Sequence, residues 1–396
     1  SLVTTDTIKV SDVSATFDNT VVGNISITKA GGVINTTNSG YYISGSVDNT
    51  TGDDNVGTLN LAGTTVTGVV GGSNPLLLVD VKGNSTFQST VNAATTKVES
   101  GITAYFSGDV NGSISLYSGT ASLGGVTVNG AIDGSADNTG NLTMTYGSTI
   151  NGAVGATHSL ASINLFNTYG GGSTFNGTVN TKALTLNSAS YSSATFNDVL
   201  TVADAAKFTG SNQNLILAAD ANFANGISFN GYNSTITLDS TEGDKTFMGT
   251  INTVDNSSTG ILQIQGTNTF TLANAVASSA AQRLYLVQVN DNSKASFSHD
   301  IYSQYFNILN GATATFGCNV DGAVQLRDGT MIVQDGFNVT GTIDNIVTGN
   351  GYGVLKLLGT NTVSGAVGSS YALKSITTGA SGAIATFSST VNATTI

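Results

Sequence analysis

The chain has 396 residues, of which only 9% are charged, with 49 glycines, one proline, one cysteine and no tryptophan. Its formal net charge is −12, and its 12 basic side chains never cluster. This excludes a nucleic-acid footprint, which needs grouped Lys and Arg, and attraction to an anionic membrane surface. A lone cysteine allows no intrachain disulfide, so stability has to come from burial and backbone pairing. Val, Ile, Leu and Thr recur throughout, unlike the composition of a disordered chain.

Taken in chain order, the segments read as short strands separated by Gly, Asn and Asp turns. "ATFDNTVVGNISI" (Ala15–Ile27) opens the series, and Gly57–Gly71 reads "GTLNLAGTTVTGVVG". "PLLLVDV" (Pro75–Val81) is the most apolar run, far short of the ~20 residues of a membrane helix. The Gly57 phrase returns at Gly140–Gly155 ("GNLTMTYGSTINGAVG"), Gly260–Val276 ("GILQIQGTNTFTLANAV") and Gly353–Gly368 ("GVLKLLGTNTVSGAVG"). Polar/apolar alternation within each copy is a strand signature. The starts at 57, 140, 260 and 353 define four super-repeats of a single continuous array over residues 1–396.

Between the copies lie smaller phrases built on "TF" or "SF". Examples are "STFQSTVNAATTKV" from Ser85, "STFNGTVNTKALTL" from Ser173, "ASFSHDIYSQYFNIL" from Ala295 and "ATFSSTVNATTI" from Ala385. Phe87 to Phe106 and Phe297 to Phe316 are each 19 residues apart, and Phe175 to Phe196 is 21. A period near 20 with Gly/Asn turns predicts an all-β parallel β-helix, a solenoid of about 20 residues per coil. Phenylalanines recurring once per coil are expected to stack above one another inside, with Thr, Ser and Asn in outward ladders. The stretch "LANAVASSAAQRLYL" (Leu272–Leu286) is either one exposed helical insertion or another strand pair.

Chemistry is sparse. His158 and His299 lie in separate turn-like contexts and read as surface polar residues. Cys318 lacks a basic neighbour that would lower its pKa and reads as a small core residue. Clustered carboxylates on one face serve polysaccharide-cleaving enzymes. Candidates here are Asp53–Asp54 and the denser group Asp239, Glu242 and Asp244. That second group is read as a solvated turn between coils, with a weak Ca²⁺ site, held by hard oxygen ligands, as its functional alternative. Tyr41–Tyr42, and Tyr302 with Tyr305, read as capping or packing residues, with sugar platforms as their functional alternative.

The phrase G-x-L-x-L-x-G-T-x-x-V-x-G-x-V-G, followed by T-F-x-x-x-V-N-A-T-T, resembles the passenger regions of bacterial autotransporters, above all the large surface antigens of rickettsiae and other alphaproteobacteria. The matching stretches, Gly57–Val98, Gly140–Leu186, Gly260–Leu309 and Gly353–Ile396, cover somewhat under half of the chain. The resemblance implies an exported, surface-exposed, right-handed β-helix on the outside of the bacterial cell, and the lack of catalytic motifs makes a non-enzymatic role the expectation. The last phrase, "TFSSTVNATTI", is completed by the first residues, "SLVTTDTIKV". The chain is therefore expected to be a piece of a longer exported protein or a subunit stacking head to tail on copies of itself. The expected function is a stalk or coat that projects, shields or adheres to a host receptor or glycan. A self-assembling filament or surface-layer subunit is the alternative, and a polysaccharide-degrading β-helix the third. An adhesin is expected to carry a loop that breaks the coil period, with Ser278–Asn292 as the candidate.

Overall fold

The computed structural model describes residues 3–166, 171–187, 191–204, 206–254, 259–379 and 382–396. Short strands follow one another from Val3 to Phe387. Each pairs in parallel with strands one turn before and one turn after, as Phe87 does with Val66 and Phe106. The result is an all-β solenoid of about 18 turns, about 21 residues apart. Among the described residues the one helical piece is the 3₁₀ turn Ala280–Gln282, so the Leu272–Leu286 stretch is a strand end, a single turn and a new strand. No helix of the described residues is long and apolar enough to cross a membrane. Contacts divide the chain into two compact units, residues 1–188 with 192–198 and residues 189–191 with 199–396.

Alternation explains the core of each unit. On a strand every second side chain points inward, and in register these stack into three vertical files. In the first unit, file one runs Val66, Phe87, Phe106, Leu123, Met144. File two runs Val91, Val110, Val128, Ile150, Phe175, Phe196. File three runs Leu59, Val79, Thr96, Ile114, Ile132. The second unit has the same three files. They contain Leu272, Phe297, Phe316, Val333; Val276, Ile301, Val320, Val339, Val363; and Leu262, Val287, Phe306, Val324, Ile343. Nearly all of these side chains are fully buried, and each large one contributes roughly 1.5–3 kcal/mol by leaving water.

The four long phrases share one geometry. Their first glycines, Gly57, Gly140, Gly260 and Gly353, all have positive φ. A Cβ on any of them would meet an inward side chain of an earlier coil: Ile27, Leu116, Phe229 and Leu326 respectively. The phrases differ in the face they occupy. Leu59 and Leu262 begin in file three, whereas Leu142 and Leu355 begin the strands whose Met144 and Leu357 join file one. The wording is thus rotated by one face between the first and second copies, and again between the third and fourth.

The phenylalanines stack inside, but not in one column. Phe87 stacks on Phe106 in file one and Phe175 on Phe196 in file two, with ring centroids 5.1 and 4.5 Å apart. In the second unit Phe297 stacks on Phe316 at 5.2 Å, and Phe306 meets both edge-on from file three. The expectation of a single phenylalanine column is corrected to short stacks on more than one file. Alternation fixes "inward", while the length of each bend decides which face comes next.

Outside file two, the first unit carries an asparagine ladder. Asn111 donates to Asn92, Asn129 to Asn111, Asn151 to Asn129, Asn176 to Asn151 and Asn197 to Asn176, over 2.6–2.8 Å. Glycine follows four of these, and a Cβ on Gly130 would stand 2.1 Å from the carbonyl oxygen of Gly112 one turn earlier. The close approach of successive bends is what demands glycine there.

Candidate binding face

The acidic group does not converge. Asp239 ends the strand Thr235–Asp239, and its carboxylate accepts from the Thr241 N–H and from Gln265 Nε2, both at 2.8 Å. Partial burial pushes its pKa up, but the hydrogen bonds from Thr241 and Gln265 outweigh this and hold the carboxyl below its ordinary value. Asp244 accepts from the backbone N–H of Thr269 at 2.7 Å, and Glu242 lies exposed in the turn. Among the described residues no three His, Cys, Asp or Glu come together to hold a metal ion. Of the three residues read as a weak Ca²⁺ candidate, Asp239 and Asp244 accept from donors of the next coil, Gln265 and Thr269, and Glu242 faces solvent.

The other singled-out residues are also dispersed. Asp53 and Asp54 are exposed in a turn. His158 Nδ1 lies 3.3 Å from Asp137 on the surface, and His299 is exposed. Cys318 is buried; burial first, and Asp300 second, push its thiol up to about 12, which leaves it protonated and unreactive at neutral pH.

Large side chains gather elsewhere, outside files two and three. In the second unit the strand Leu284–Val289 pairs with Ile301–Ile308, and that with Val320–Leu326. Tyr285 and Tyr305 meet edge to face at 5.7 Å, and Tyr285 is 45% exposed. Arg283 reaches over the register pair Tyr302–Asp321, with its guanidinium 3.7 Å from the Asp321 carboxylate. Arg327 is exposed just beyond Leu326. Arg283 and Arg327 are the chain's two arginines. The bend before Arg283 runs from Val276 to Leu284, two residues longer than its counterpart Val70 to Leu76. Its extra length forms the 3₁₀ turn, whose Ala280 carbonyl accepts from Arg283 Nε at 3.1 Å.

Tyr302 and Tyr305 were legible from sequence as surface aromatics; Arg283, Tyr285 and Arg327 were not. A signal was present, because "LYLVQV" (Leu284–Val289) repeats "LLLVDV" (Leu76–Val81) with a tyrosine on the outward position. In the first unit that same outward face holds Leu77, Leu78, Lys97 and Tyr117 around a shallow cavity.

Parallel strands in repeating turns around a buried apolar bore define a β-helical solenoid. Over 386 residues, 89% of its length, the chain is 30% identical to outer membrane protein A of Rickettsia rickettsii. Over 73 residues it is 44% identical to outer membrane protein A of Rickettsia conorii. The chain spans 16% of the length of the first of these relatives and 4% of the second. No family model matches the chain, and no solved structure is similar to it. The chain is thus a parallel β-helix similar in sequence to a rickettsial outer membrane protein, in keeping with its resemblance to autotransporter passengers.

Proposed function

We propose that the chain is part of a non-enzymatic protein displayed on the outer surface of a bacterium, and that it adheres to a protein partner through the outward face of residues 283–327. The observation that carries this reading is the gathering of Arg283, Tyr285, Tyr302 and Tyr305 on one face, beside a bend lengthened by two residues. Tyrosine and arginine are the residue types that dominate binding energy at protein interfaces, because each offers a large, stiff contact with a polar tip. Similarity to an outer membrane protein supports the location.

Beads coated with the purified chain test the reading. Adhesion to cultured animal cells should exceed that of uncoated beads and fall to their level when Arg283, Tyr285 and Tyr305 are all changed to Ala. Equal adhesion by the parent and the triple variant would overturn the proposed face. No adhesion by either would overturn the adhesive role.

A further inference from the structure

We propose that the first unit carries a separate site for one uncharged pyranose ring, formed by the strands Leu76–Gly83, Val91–Val98 and Val110–Leu116 and the residue after them, Tyr117. These strands pair in parallel, and together their outward side chains line a cavity of about 290 Å³. That size lies near the lower end of small-molecule sites; it admits a single ring and is far too small for a protein interface.

The lining is two-sided. Leu77 and Leu78 form an apolar wall, with Leu77 52% exposed, and Tyr117 supplies a ring 42% exposed. On the other side are Thr95 Oγ1, Ser115 Oγ and the Lys97 ammonium. Neither hydroxyl has a hydrogen-bond partner among the described residues. Lys97 is fixed in place, 4.4 Å above the Tyr117 ring and bonded to Glu99. An ammonium has three N–H donors, so donors remain for a ligand.

Charge decides between ligand classes. Lys97 is matched by Glu99 and Lys82 by Asp80, so the rim is neutral overall. An anion would meet Glu99 as well as Lys97. A purely apolar side chain would cover Thr95, Ser115 and Lys97 without satisfying them, which costs more than the contact returns. A pyranose has an apolar C–H face for Leu77 and the Tyr117 ring, and a rim of hydroxyls for Thr95, Ser115 and Lys97. The geometry of wall and rim matches that division.

Saturation-transfer NMR with the full chain and methyl glycosides of neutral hexoses and N-acetylhexosamines tests the site, with sialic acid as the charged comparison. Transfer is expected to the ring C–H protons of at least one neutral pyranoside and to be weaker for sialic acid. Tyr117→Ala should lower affinity about five- to ten-fold, the loss of one ring-face contact, while Tyr117→Phe retains binding. Should Tyr117→Ala fail to fold, Leu77→Ser carries the same expectation. Absence of transfer from every neutral pyranoside, preference for sialic acid, or undiminished binding by both Tyr117→Ala and Leu77→Ser would each overturn the proposal. The site is independent of the adhesive face: Arg283→Ala with Tyr285→Ala should leave sugar binding unchanged, so either reading fails alone.

Discussion

The outer edge of file two is written differently in the two units. In the first it reads Asn92, Asn111, Asn129, Asn151, Asn176, Asn197, each amide hydrogen-bonded to the one before. At the same register the second reads Ala277, Tyr302, Asp321, Thr340, Ser364 and Ser388. The glycines behind them are kept: Gly112, Gly130 and Gly152 in the first unit, Gly322, Gly341 and Gly365 in the second. The backbone of successive bends comes close in both, so glycine is obligatory. The side chain outside is optional. Where the ladder is given up, Tyr302 and Asp321 take its place and Asp321 pairs with Arg283.

Four substitutions separate what is obligatory from what is optional. Gly130→Val and Gly341→Val should cost most, and alike in both units, because a Cβ would lie 2.1 and 2.2 Å from a carbonyl oxygen one turn earlier. A loss above about 4 kcal/mol is expected in urea unfolding; a small loss in one unit only would break the parallel. Asn151→Ala comes next. It removes one donated and one accepted ladder bond and should cost about 1–2 kcal/mol, against at most about 0.5 for its counterpart Ser364→Ala. Equal effects would mean that the ladder adds nothing.

Thr96→Val should act in the opposite direction. Thr96 sits in the bore with its hydroxyl unpartnered, where the second unit places Phe306 between Phe297 and Phe316. Replacing the hydroxyl by a methyl should raise stability by about 1 kcal/mol, read from the urea midpoint. The smallest effect is expected at Asp239. Its folded pKa is lowered, so its contribution is fully present above the unfolded pKa and is lost as pH falls through the folded one. Asp239→Asn should therefore flatten the acid limb of a stability–pH profile, while leaving the profile above the unfolded pKa parallel to that of the parent.

Much of the fold could be read from the sequence because a solenoid repeats its local rules. Alternation named the inward residues, and the spaced glycines marked the corners. What alternation leaves open is which of three faces a strand joins. The phrases at Gly57 and Gly140 look alike yet enter different files, and Phe106 and Phe175 never share a column, because the bends between them differ in length. The proposed binding face was hidden for the same reason. Arg283 and Asp321 are 38 residues apart in sequence and meet only through the register of three coils. Asp239, Glu242 and Asp244 give the converse case. Close in sequence, they disperse because Asp239 and Asp244 turn to the neighbouring coil, at Gln265 and Thr269.

The ladder also bears on how this protein ages. Asparagine is among the thermolabile residues, and most so before glycine, where the next backbone nitrogen can attack the side-chain amide, close a succinimide and leave a carboxylate. Four ladder members, Asn111, Asn129, Asn151 and Asn176, stand before glycine, whereas Asn92 precedes Ala93 and Asn197 precedes Asp198. Each of the four is tethered through its amide nitrogen to the turn before and through its oxygen to the turn after. To cyclise, the amide would have to break both tethers. A row of chemically short-lived dipeptides is thereby held unreactive by its own neighbours, so that the fold supplies a durability the sequence alone lacks.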